Sequence, residues 1–142
     1  MLITLSILVL VYLVMGKDVK PIIEKVKSVD LAKKIRSLME KLRPWALKVG
    51  RVAARPILQF YYVLEDEDTS TLDKVMIYGA IAYVIFPLDL LPRSVFKLLG
   101  VLDDGVAVLF VYKRIKGRIT PEIVRRVEER LDEWFGVEFE VV

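Results

Sequence analysis

An all-α fold is predicted by three observations. Apolar residues recur at helical spacing over 21–43 (Ile22, Val26, Ile35, Leu38, Met39, Leu42) and over 121–135 (Ile123, Val127, Leu131, Trp134, Phe135). Two apolar arms, Val75–Leu88 and Val106–Tyr112, flank a centre punctuated by Pro87, Pro92 and Gly100, the pattern of a helical hairpin. The run from Met1 to Met15 carries no charge at all, and only Val137–Val142 alternates as a strand would. Six such residues cannot form a sheet alone, so they are read as a short extended C-terminal tail.

Composition adds the solvent. Of 142 residues 55% are apolar, and the mean hydropathy of +0.45 exceeds what one water-soluble domain requires. The expectation is a small helical membrane protein. Residues 1–19 are read as an uncleaved transmembrane anchor rather than a core helix or a signal peptide, because no Lys or Arg precedes the run and no small-residue cleavage site follows it. The lysines that follow, Lys17, Lys20, Lys25 and Lys27, place the N-terminus outside and the bulk in the cytoplasm.

Residues 20–64 form a basic helical region. Between Lys17 and Arg55 there are twelve Lys or Arg against four Asp or Glu, although the whole chain has a net charge of only +3. Lys20, Lys27, Lys34, Lys41 and Lys48 recur every seven residues, which puts a basic face opposite the apolar one and suits anionic headgroups. Pro21 fits the first turn of this amphipathic helix and Pro44 is expected to break or kink it; Pro56 then opens a shorter helix ending near Leu64. Trp45, Phe60, Tyr61 and Tyr62 suit either an interfacial aromatic belt or the core. The acidic loop Glu65–Asp68 lacks the ligand spacing of an EF-hand, and Ser70 or Thr71 is expected to cap the next helix, with Asp73 in its first turn.

Residues 69–136 hold the hairpin and a C-terminal helix. The stretch from Val75 to Tyr112 contains five charges, Asp89, Arg93, Lys97, Asp103 and Asp104, set among apolar neighbours. The acids are read first as helix caps that pin the bend, with a hard-cation site at Asp89, Asp103 and Asp104 as the alternative. Gly79, Ala80, Ala82, Gly105 and Ala107 allow close approach of the arms, and Thr120-Pro121-Glu122 starts the last helix, which ends near Gly136. Tail residues 137–142 follow.

The order Tyr83, Pro87, Asp89, Leu90, Leu91, Pro92, Gly100, Leu102, Asp103, Asp104 resembles the YkvA-like proteins, domain of unknown function number twelve thirty-two. Arg93 stands where the family pattern carries an acid, which weakens a four-acid cation site. The resemblance implies a small membrane-associated helical domain, in the cytoplasmic membrane of a prokaryote or an endomembrane of a eukaryote, and it implies no reaction.

With no His and no Cys, Ser-His-Asp catalysis, imidazole or thiolate metal sites and disulfides are all excluded. No catalytic residue is nominated and no cofactor is expected beyond a divalent cation. The leading expectation is a non-enzymatic, multi-pass membrane scaffold or adaptor whose partners are the bilayer, its anionic headgroups, and a second copy or another membrane protein. The alternatives are a divalent-cation-dependent membrane enzyme or transporter component built on the acids, and a basic nucleic-acid-binding module.

Overall fold

The computed structural model describes residues 2–26, 30–85 and 104–136, and every described element is helical. In chain order these are α1 (Leu2–Val14), α2 (Lys20–Val26), α3 (Leu31–Val49), α4 (Arg51–Glu65), α5 (Thr71–Ile85), α6 (Asp104–Ile115) and α7 (Pro121–Phe135), with a 3-10 turn at Lys116–Arg118.

Helix α5 is the hub. It is apolar all round, and Val75 through Tyr83 are buried without interruption, as expected of a helix enclosed by others. Ser70 Oγ accepts the Asp73 N–H at 3.2 Å and caps its start, as the sequence predicts. Before the cap, the Thr69 hydroxyl donates to the Val63 carbonyl at 2.7 Å and ties the acidic loop to the end of α4. Helix α6 returns antiparallel to α5. Arg114 at its end pairs with Asp73 at 3.0 Å, while Gly105 and Val108 near its start share a groove with Val84. Both expected arms are helical and packed on each other over their described residues, 75–85 and 106–112; the bend between them lies outside the described residues.

Helix α1 also packs antiparallel against α5: Ser6 meets Gly79, and Val19 and Ile23 beyond α1 lie beside Leu72. A β-carbon at Gly79 would overlap the Ser6 carbonyl, so the glycine sets how closely the two backbones approach. Ser6, Ile7, Val9, Leu10 and Val11 are all buried.

Within residues 1–19, read from the sequence as an anchor, the helix packs against α5 and ends early. The Lys17 N–H bonds to the Tyr12 carbonyl at 2.8 Å and the Gly16 N–H to the Leu13 carbonyl at 3.1 Å, with Gly16 at φ 73°. That Schellman closure stops the helix at 13 residues, about 20 Å against a hydrocarbon thickness of about 30 Å. Among the described residues no helix is long and apolar enough to cross a membrane.

Two further expectations change. The amphipathic segment is two helices: α2 begins with Asp18 accepting the Lys20 N–H at 3.0 Å, and Asp30 starts α3 by accepting the Lys33 N–H at 3.2 Å. Neither Pro44 nor Pro56 bounds a helix; both lie inside, in α3 and α4. Pro44 is exposed, so the Glu40 carbonyl it leaves without a helical partner lies on the water side, while Trp45 and Ala46 continue the core face. The break falls instead at Gly50, whose φ of 98° turns the chain between α3 and α4 within one residue.

Helix α7 keeps the bounds read from the sequence. Thr120 Oγ1 accepts the Ile123 N–H at 3.2 Å, and Ile123, Val127 and Leu131 face inward against α4. Phe60, Tyr61 and Tyr62 are buried, which assigns them to the core; Trp45 is half-buried.

Candidate functional site

Two groups of cations stand in contrast, beside a third, Lys113, Lys116 and Arg118, that is also exposed and makes no ion pair among the described residues. Those between α4 and α7 are engaged within the protein. Arg51 bonds Asp132 at 2.6 Å and Glu128 at 3.3 Å, and Arg55 Nε bonds Glu128 at 2.7 Å. The signal for this clamp is in the sequence as two i, i+4 pairs of opposite sign, Arg51/Arg55 and Glu128/Asp132, but it is readable only once α4 is known to begin at Arg51. Tyr62 is held from two sides: the Arg126 guanidinium stacks 4.6 Å from its ring centroid, and Arg130 Nε donates to its hydroxyl at 3.1 Å. On the outer side of α7, Arg125 pairs with Glu129 at 2.6 Å.

Removing the shared carboxylate tests the clamp. Glu128→Gln is expected to cost about 1 kcal/mol, kept small because these side chains are partly exposed, and to lower Tm by about 3 °C in a calorimetric scan. An unchanged Tm would show that Glu128 contributes nothing to holding α7 against α4.

Beside the clamp, burial pushes the Tyr61 phenol well above the ordinary value of 10.0, with Glu65 adding to the shift. Above that value the unfolded chain ionises while folded Tyr61 keeps its proton, so stability falls as pH rises through the range above about 10. Urea midpoints taken at about pH 9 and about pH 11 should fall less for Tyr61→Phe than for the parent protein. Equal falls would locate the alkaline sensitivity elsewhere.

The second population lies on α3. Ile35, Leu38, Leu42 and Ala46 face the core, so at 100° per residue Lys34, Lys41 and Lys48 form a stripe along one flank of α3, with Lys33 opposite the core and Arg36 on the other flank. All five are exposed. Among the described residues Lys33, Lys34, Arg36, Arg43 and Lys48 make no ion pair. Lys20 is exposed at the start of α2, and Lys27 lies outside the described residues. From Lys41 through Leu64 the chain has five cations, Lys41, Arg43, Lys48, Arg51 and Arg55, and no carboxylate.

An apolar corner adjoins this stripe. Where Gly50 joins α3 to α4, Leu47 is 48% exposed, Val49 41% and Val52 78%. Behind them Trp45, Ala53, Pro56, Val84, Gly105 and Val108 line a shallow apolar groove, and Val106 and Leu109 of α6 are exposed alongside it. Sequence reasoning missed this corner because the next helix was expected to open at Pro56, whereas α4 begins at Arg51.

Residues 73–110 match the family described as protein of unknown function, DUF1232. This is the family that the Tyr83 to Asp104 motif resembles. Neither a curated protein nor a solved structure matches the chain. The DUF1232 segment takes in most of α5 and the first half of α6, so it supplies the hub of the bundle and one wall of the apolar groove. Of its motif residues, Tyr83 is buried on α5 and Asp104 opens α6. Pro87, Asp89, Leu91, Pro92, Gly100 and Asp103 lie outside the described residues, and with them the cation site considered at Asp89, Asp103 and Asp104. Among the described residues no group of three or more acids is placed to hold a metal ion. The α3 cations and the corner lie outside the DUF1232 segment.

Proposed function

We propose that the protein is a non-enzymatic helical scaffold that adsorbs to anionic membrane surfaces through the outer face of α3. The observation that carries this reading is the division of cations: arginines between α4 and α7 are matched with carboxylates, whereas Lys33, Lys34, Arg36 and Lys48 are exposed without an ion pair among the described residues. Each such residue held at an anionic bilayer contributes about 1 kcal/mol, and a row along one helix lets several act together. In this reading α1 is not an anchor, since its buried face is already taken up by α5.

The test is co-sedimentation of the full chain with vesicles. Binding to phosphatidylglycerol-containing vesicles that weakens as salt is raised is expected, with little binding to pure phosphatidylcholine. Equal binding to both lipids, or tighter binding to duplex DNA or RNA than to anionic vesicles at the same salt, would reject the proposal.

A further inference from the structure

We infer that the α3–α4 corner is a wedge that enters the hydrocarbon of an anionic bilayer, an inference that rests on the adsorption reading above and extends it from contact to insertion. Three branched apolar side chains, Leu47, Val49 and Val52, stand exposed within three residues of the one-residue joint at Gly50. Water is a poor solvent for such a cluster.

The charges around the corner select the occupant. Lys48 sits within the cluster, Lys41 and Arg43 one to two turns behind it on α3, and no carboxylate occurs from Lys41 through Leu64. Across the interface with α7, Glu128 and Asp132 are bound to Arg51 and Arg55. An apolar tip with a basic collar and matched acids behind it complements a layer of anionic headgroups over hydrocarbon. The neighbouring surface continues the tip, because the groove of Trp45, Pro56, Val84 and Val108 is apolar.

The chain has no cysteine, so single labels can be placed at will. Val52→Cys carries an environment-sensitive fluorophore at the most exposed apolar position, and Glu129→Cys on the exposed side of α7 serves as control. With phosphatidylglycerol vesicles the label at 52 is expected to shift to the blue and to be quenched by spin labels on the acyl chains. The label at 129 should stay accessible to an aqueous quencher. Leu47→Ser with Val52→Ser should lower vesicle affinity about tenfold or more with the thermal transition unchanged, since both side chains are exposed. Vesicle binding with the label at 52 still in water would overturn the wedge and leave adsorption standing; no vesicle binding at all would overturn both. A blue shift that grows with protein concentration without lipid would assign the corner to a second copy and overturn the wedge as well.

Discussion

Gly79→Ala is expected to destabilise the protein by about 3 kcal/mol, although the same change in an exposed helix would stabilise it by about 1 kcal/mol. The reason is what the added methyl meets. It would overlap the carbonyl carbon and oxygen of Ser6, and beyond them the Ile7 nitrogen lies 3.1 Å away; all are backbone atoms that no rotamer change can move aside. Helix α1 would have to lift from α5, loosening Ile7, Leu10 and Val11 together. The check is a urea titration of Gly79→Ala beside Ser6→Ala. The second variant leaves the backbone contact intact and removes a buried hydroxyl that has no hydrogen-bond partner among the described residues, so it should fold at least as stably as the parent. Equal midpoints for Gly79→Ala and the parent would mean that α1 is not packed against α5 in solution.

Neutralising α3 should have the largest effect on binding. The variant Lys33→Gln, Lys34→Gln, Arg36→Gln, Lys48→Gln removes four exposed charges without touching the core face of Ile35, Leu38, Leu42 and Ala46. At about 1 kcal/mol per charge, affinity for anionic vesicles should fall by about a thousandfold, and the residual binding should lose most of its salt dependence. Gln keeps helix propensity close to that of Lys and Arg, so Tm is expected to hold. A loss of only a fewfold would move the binding determinant away from α3.

Local chemistry made much of the fold legible. Thr120-Pro121 and the Ile123, Val127, Leu131 spacing define α7, and Ser70 with Asp73 defines the start of α5, because capping and periodicity act within one or two turns. The sequence is less informative where a distant partner decides. An uncharged run such as Met1–Met15 has the same composition whether lipid or another helix covers it; the cover here is α5, and the local stop signal was Gly16. Pro44 and Pro56 remove one hydrogen bond each, a cost that packing of the surrounding core residues outweighs. The candidate site divides in the same way. The lysine row follows from seven-residue spacing alone, whereas the apolar corner depends on knowing that the chain turns at Gly50. The hairpin acids Asp89 and Asp103 fall outside the described residues.

The antiparallel seating of α1 on α5 also sets a schedule for synthesis. Ser6 and Gly79 are separated by roughly 70 residues of chain, which a ribosome adds at roughly 5–20 residues per second. An uncharged, strongly apolar helix thus emerges on the order of 4–15 s before the helix that covers it, and for that interval it exposes to the cell the surface that a nascent membrane segment would.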